Sequence, residues 1–216
     1  MLHFNERARV EDDFFQDYVD TNFSNKKWVP IKRGEINDKS FLQKLNLLKP
    51  DFIVCYGCSI LSKDAIDAFY RKVVNVHLGL SPYYLGSGTN FHPLADNKPE
   101  LVGYTLMYID EGVDTGEIIH QQRPKINVFD NSHHVGCKII RDMTGAYIEL
   151  IKYSELLVKK SQPSFEKSKV CYRKDSTEER VSQMYENLKQ GMFLSYLKNK
   201  SDRDKKYPII QQSVLL

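Results

Sequence analysis

Two short apolar runs constrain this chain more than any other feature. Phe52-Ile53-Val54-Cys55-Tyr56 and Val73-Val74-Asn75-Val76-His77 are each strand-length and rich in strand-forming side chains. Between them Ser62 is placed to cap a helix over residues 63–72, with Asp64 in its first turn and Ile66, Phe69 and Tyr70 on one face. Strand, helix and strand at this spacing make a βαβ unit. That unit predicts an open, mostly parallel α/β sheet with a right-handed crossover. The unbroken apolar character of 52–56 predicts a strand buried on both faces.

Asn75 and His77 lie two residues apart and so point to one side of the second strand. They sit at its C-terminal end, where open parallel sheets place their sites. Residues 78–98 form a long glycine-rich loop with Pro82 and Pro93, and a short helix is expected within 90–97. Loops of this length beside a sheet usually carry function. The small residues Ser87-Gly88-Thr89 let a substrate approach backbone; they are too short a run for a phosphate loop. Residues 103–109 and 117–122 read as strands, hairpin partners across the turn Asp110-Glu111-Gly112-Val113-Asp114-Thr115-Gly116. That turn brings a carboxylate towards the imidazole and carboxamide.

Outside this centre, Val10, Phe14, Phe15, Tyr18 and Val19 predict a helix over 10–19. A turn at 22–26 and a short extended piece, Trp28-Val29-Pro30-Ile31, follow. Ser40 is placed to cap a helix over 41–48 that Pro50 stops. A long helix is expected from Asp130 or Ser132 to about 158, with Val135, Ile139, Met143 and Leu150 in its apolar stripe. Residues 161–168 have linker composition. Ser176-Thr177-Glu178-Glu179 has capping-box spacing ahead of Val181, Met184, Tyr185 and Leu188, and a further helical turn covers 193–197. The organisation expected is a domain over 1–160 and a helical appendage over 161–216, packed on it because it is too polar to hold a core alone.

Composition narrows the partners. The chain has 216 residues and a net charge of only +3, with basic and acidic residues interleaved, so no nucleic-acid partner is expected. No apolar stretch approaches 18 residues and no secretory signal is present, so no membrane partner is expected and the cytosol is the default compartment. Cys55-x-x-Cys58 has the spacing of a redox or zinc pair, yet no second pair accompanies it; two small buried residues is the simpler reading. His133 and His134 are adjacent and read as surface or cap residues, and no metal site is expected.

His77 titrates near neutral pH and suits general acid–base work. Asp114 suits an orienting or charge-stabilising role beside it. Asn75 offers an amide donor to an oxyanion. No Ser or Cys joins them, which favours direct transfer of an acyl group to an amine over a covalent acyl-enzyme. Asn75 and His77 satisfying loop amides at a strand end is the alternative that spacing leaves open.

Four segments then carry a resemblance: Asn75-x-His77; Leu80-Ser81-Pro82-Tyr83-Tyr84-x-Gly86; Gly103-x-Thr105; and Asp110-x-Gly112-x-Asp114-x-Gly116-x-Ile118. Their order and separation resemble the folate-dependent formyltransferase superfamily, which includes glycinamide ribonucleotide, methionyl-tRNA and nucleotide-sugar formyltransferases. The resemblance implies a Rossmann-type core and a catalytic trio of Asn75, His77 and Asp114. It implies 10-formyltetrahydrofolate as formyl donor, bound along Cys58, Ser59, Ile60 and Leu61 and against Asp110, Glu111, Gly112 and Val113. The acceptor implied is a primary amine of a small molecule, a nucleotide-linked amino sugar being favoured, attacked directly by its nitrogen. No C-terminal barrel resembling the methionyl-tRNA enzymes follows, so a tRNA acceptor is not expected. Association into a homo-oligomer stays open.

The chain departs from the family pattern at three places. Met107 stands where many members have a second histidine, and Leu85 where a basic residue is usual. The family's first strand and glycine turn are not recognisable, which predicts an inner sheet edge left unpaired. Residues before Val29 supplying a substitute, a truncated product, or a partner closing the sheet are the three readings of that departure. Two other functions stay open: a degenerate or truncated folate-binding protein acting without catalysis or in a complex, and a hydrolase of the formyl-folate with water as acceptor.

Overall fold

The computed structural model describes residues 2–23, 29–165 and 167–215. Most of the turn expected at 22–26, and Trp28 at the head of the expected extended piece, lie outside these residues. The strands described are β1 (Ile53–Cys55), β2 (Val73–His77), β3 (Tyr84–Gly86), β4 (Tyr104–Tyr108), β5 (Ile118–Gln122) and β6 (Lys169–Cys171). The α-helices are α1 (Leu2–Asn22), α2 (Lys39–Leu47), α3 (Lys63–Ala68), α4 (Phe91–Ala95), α5 (Ser132–Lys152), α6 (Glu178–Lys189), α7 (Met192–Lys198) and α8 (Lys200–Lys205).

The expected βαβ unit forms. Ser62 caps α3 by accepting the Ala65 amide, and β1 runs parallel to β2 with Ile53 opposite Val73. The main sheet has the order β1-β2-β4-β5, and β3 pairs with β6 in a second, two-stranded sheet. Parallel pairing joins β1 to β2 and β3 to β6, while the β4–β5 hairpin and its pairing on β2 are antiparallel. The α/β class is as expected. The hairpin reverses direction because its connecting turn is too short for a crossover.

Alternation along β2 sets what faces where. Val74 and Val76 join the main core with Val135, Ile139, Met143 and Leu150 of α5, which leaves Asn75 and His77 on the opposite side. Met184, Met192, Phe193 and Tyr196 of the C-terminal helices belong to the same core. The tail then runs beside β5. The Gln121 amide donates to the Ile210 carbonyl at 2.6 Å and the Gln212 amide to His120 Nδ1 at 3.1 Å.

Several expectations need correction. β1 is not buried on both faces: Val54 is 47% exposed, and β1 pairs with β2 alone among the described residues. The described residues ahead of Val29 supply no strand beside it. They form α1, longer than the expected 10–19, which docks on α5 and α6 through buried Val10, through Glu6 accepting from Asn131 Nδ2 at 3.0 Å, and through His3 on the Tyr185 hydroxyl at 3.0 Å. α2 starts after Asp38 rather than Ser40, and α5 starts after Asn131 but ends at Lys152, short of 158. His133 is buried against α1 and Tyr185, while His134 closes the α5 capping box. Residues 161–216 are largely helical but also contribute β6. Among the described residues no helix is long and apolar enough to cross a membrane.

Candidate active site

The C-terminal end of β2 opens into a cleft of about 930 Å³ lined by Asn75 and His77. The chain can turn beside the imidazole because residue 79 is glycine: a Cβ there would lie 2.4 Å from His77 Nε2. The imidazole is held at both nitrogens. Nε2 lies 3.0 Å from the Tyr84 carbonyl oxygen, and Nδ1 lies 3.2 Å from Asp114 Oδ2. A carbonyl oxygen only accepts, so the ring hydrogen sits on Nε2 and Nδ1 presents its lone pair to Asp114. Burial holds His77 below the ordinary imidazole range, opposed by the Asp114 charge and the Tyr84 carbonyl. The resting ring is therefore neutral. Nδ1 and Asp114 Oδ2 lie 3.2 Å apart, so a proton taken up by Nδ1 would sit between them.

Asp114 reaches this position through a left-handed backbone conformation, with φ 55°. Its other contacts fix it there. Oδ2 accepts the Gly86 amide at 2.8 Å, and its backbone carbonyl accepts Gln162 Nε2 at 2.7 Å. The Asn75 side chain makes no hydrogen bond among the described residues and faces the cleft with its donor and acceptor both free. The three residues singled out from spacing thus meet in one place.

One flank of the cleft holds the two loops singled out by resemblance, Cys58-Ser59-Ile60-Leu61 and Asp110-Glu111-Gly112-Val113, all of them lining it. A turn at 34–37 braces the first: Asn37 Nδ2 donates to the Ile60 carbonyl at 2.9 Å, and the Gly34 amide to Ser59 Oγ at 3.2 Å. Asp110 Oδ1 braces the second by accepting from the Gly112 amide at 3.0 Å and Thr115 Oγ1 at 2.8 Å. Lys63 ties the loops together by its 2.7 Å ion pair with Glu111. Ile60 and Val113 stand open, 87% and 55% exposed, as an apolar rim. Leu61 also packs on the small core around Cys55. The expectation of two buried cysteines fails at Cys58, which is exposed; its hydrogen bond with Cys55 lowers its pKa to about 6 and pushes that of Cys55 up.

Gly86–Phe91 and Val170–Arg173 also line the cleft. Sequence reasoning singled out the small residues of the first segment and missed the second entirely. The Tyr84 carbonyl and Gly86 amide that grip the His77–Asp114 pair were also missed, because a backbone group leaves no mark in a sequence. Among the described residues no three His, Cys, Asp or Glu side chains come together as a metal site.

The fold and the cleft define an α/β protein with a His–Asp pair and an open carboxamide at the C-terminal end of a central strand. Residues 9–151 match the family described as Formyl transferase, well over half of the chain, and the chain belongs to that family. Methionyl-tRNA formyltransferase of Thermodesulfovibrio yellowstonii is 36% identical over 114 residues, covering 51% of this chain and 36% of the relative. The enzyme of that name from Desulforamulus reducens is 32% identical over 135 residues, covering 61% and 42%. The matched stretch thus spans less than half the length of these relatives. In fold, the chain is similar to a 4-N formyltransferase from Francisella tularensis, with a TM-score of 0.58, 20% identity, and 79% of this chain and 71% of that one covered. It is also similar to the formyltransferase PseJ from Anoxybacillus kamchatkensis, in complex with a UDP-linked formamido sugar and tetrahydrofolate, with a TM-score of 0.53, 22% identity, and 76% and 82% covered.

Proposed function

We propose that this chain transfers a formyl group from 10-formyltetrahydrofolate to a primary amine of a small molecule, with a nucleotide-linked amino sugar the preferred acceptor. The observation that carries the reading is the His77–Asp114 pair, oriented by the Tyr84 carbonyl, in a cleft that Asn75 shares. The flank with open Ile60 and Val113 suits a flat, partly apolar ring, and a cleft of about 930 Å³ is large enough for donor and acceptor to lie side by side. Cys58, Ser59, Leu61, Asp110, Glu111 and Gly112 would hold that ring from the same flank. PseJ and the Helicobacter canadensis N-formyltransferase, the latter in complex with folinic acid and dTDP-3-aminofucose, support the choice of ligands.

The donor supplies an activated formyl carbon, whose bond to the folate nitrogen breaks as the bond to the acceptor nitrogen forms. Asn75 donates its amide hydrogen towards the formyl oxygen as charge develops there. The His77–Asp114 pair takes the proton that the amine sheds, and the imidazolium so formed adds positive charge beside that oxygen. The pair then returns a proton to the leaving nitrogen, so protons balance over the cycle.

A formyl-transfer assay with 10-formyltetrahydrofolate against amino-sugar nucleotides and initiator methionyl-tRNA tests the reading. His77→Ala and Asp114→Asn are each expected to lower turnover by about 10²- to 10⁴-fold, with little change in melting temperature. Near-normal turnover in either variant removes that residue from the trio. A second reading, a folate-binding protein without turnover, draws on the outer edge of β1, which no described strand pairs. Binding of a folate analogue with no transfer to any acceptor would favour it.

A further inference from the structure

The flank formed by 86–91 and 170–173 has no part in the donor site, yet it is firmly built. β3 and β6 pair in register, Gly86 opposite Cys171. Residue 86 must be glycine: its φ is +88°, and a Cβ would lie 2.3 Å from the Cys171 carbonyl oxygen. The Ser87 amide donates to that same carbonyl at 2.8 Å. Asp96 fastens both strands from behind by accepting from the Tyr84 hydroxyl, Lys169 and Arg180, each at 2.6 Å.

Just past β6 the chain turns, with the Tyr172 amide donating to Asp175 Oδ2 at 2.7 Å. The turn leaves the side chains of Tyr172 and Arg173 exposed on the cleft wall. Of the neighbouring cations, Lys63 is paired with Glu111, Lys169 and Arg180 with Asp96, and Lys174 lies over the Tyr172 ring, 5.7 Å from its centroid. Arg173 has no such ion pair among the described residues. This unpaired, planar guanidinium stands beside a largely exposed aromatic ring, one face of which carries the Lys174 ammonium. On the same cleft wall these match an anionic group joined to a flat base stacked on the ring's other face.

We propose that Tyr172 and Arg173 hold the nucleotide end of the acceptor, the guanidinium binding its phosphates and the Tyr172 ring stacking on its base. The inference rests on the reading of the cleft as a formyl-transfer site for a nucleotide-linked amine, and it names the residues that choose the acceptor. In this arrangement the amine end reaches inwards to His77 along the Ser87-Gly88-Thr89 backbone. Both residues act by positioning, since neither touches the reacting atoms.

Calorimetric titration of the full chain with UDP, dTDP, inorganic pyrophosphate and 5-formyltetrahydrofolate, each alone, tests the proposal. Arg173→Ala is expected to weaken UDP or dTDP binding by about 10- to 100-fold, as for a lost charged hydrogen bond. Tyr172→Ala is expected to weaken it about tenfold, as for a lost stacking partner. Folate affinity should stay within about twofold in both variants, and Arg173→Lys should recover only part of the loss. Nucleotide affinity unmoved by both substitutions, or no nucleotide binding by a chain that binds the folate, overturns the proposal. Pyrophosphate binding as tightly as UDP, with Tyr172→Ala silent, overturns the stacking half. Nucleotide binding that responds to both substitutions in a chain that binds no folate sustains the handle site and removes the donor reading instead.

Discussion

Gly79 lies two residues past His77, and any side chain there meets the imidazole at 2.4 Å and Thr89 Oγ1 at 2.7 Å. Gly79→Ala must therefore move either the imidazole or the Thr89 loop. It is expected to cost about 1–3 kcal/mol of stability, as overpacking does, and to lower turnover by disturbing the Asp114 contact. A melt and a turnover assay unchanged from wild type would show that the backbone relaxes there at no cost. Cys58 offers a second test at this scale. Its thiol is exposed in the cleft, and the neighbouring Cys55 thiol lowers its pKa, which favours the reactive thiolate at Cys58 over the other cysteines. Iodoacetamide at pH 7 is expected to label Cys58 ahead of Cys55, Cys137 and Cys171, and a bound folate analogue to protect it, both read by peptide mass spectrometry. Labelling at the same rate with and without the analogue would separate Cys58 from the donor flank. Asn75, His77 and Asp114 were legible because strand alternation and a glycine-rich hairpin turn fix where such side chains point. The neutral, Nε2-protonated form of His77 was not, since a main-chain oxygen of Tyr84 dictates it.

The elements divide by how locally they are specified. α3, α5, α6 and the β4–β5 hairpin were readable from local apolar periodicity, and the Ser62 cap of α3 from its residue type, although α3 stops at Ala68 rather than 72 and the caps of α5 and α6 are Asn131 and Thr177. The β3–β6 pair was not: two three-residue strands far apart in sequence carry no pattern of their own. The exposure of Val54 was hidden for a related reason. An apolar run is the same sequence whether or not a neighbouring strand covers it. Asp96 is what makes the short pair persist. Burial alone would raise its pKa, but hydrogen bonds from Lys169, Tyr84 and Arg180 outweigh that and hold it at about 2. Asp96→Asn leaves two cations without their partner and is expected to cost about 1–3 kcal/mol. Amide hydrogen exchange is expected to accelerate at 84–86 and 169–171 and to stay slow in β2 and β4. Uniform acceleration across all strands would mean that Asp96 supports the whole domain rather than this pair.

At the scale of the molecule, five described histidines, His3, His77, His92, His120 and His133, have pKa values lowered first of all by burial. His120, fully buried on β5, is held at about 4 against an ordinary value of 6.5. The unfolded chain binds the proton more readily, so this contribution is complete above pH 6.5 and is lost as pH falls towards 4. The gap is worth about 3 kcal/mol for His120 alone. Melting temperature is expected to fall steeply across that window, and less steeply in His120→Asn. A flat profile between pH 6.5 and 4 would contradict the burial of the neutral imidazole.

The docking of α1 on the far end of the chain has a consequence for how the protein is made. His3 and Glu6 meet the Tyr185 hydroxyl across separations of 182 and 179 residues, and Glu6 meets Asn131 across 125. At about 5–20 residues per second a ribosome takes some ten to thirty seconds to cover such a distance. During that interval α1 lacks some or all of these partners, while the βαβ unit and the hairpin already have theirs. α1 is thus made long before its seat is complete: a nascent chain that ends before α5 has none of these partners for it, and one that ends before α6 has only the α5 side.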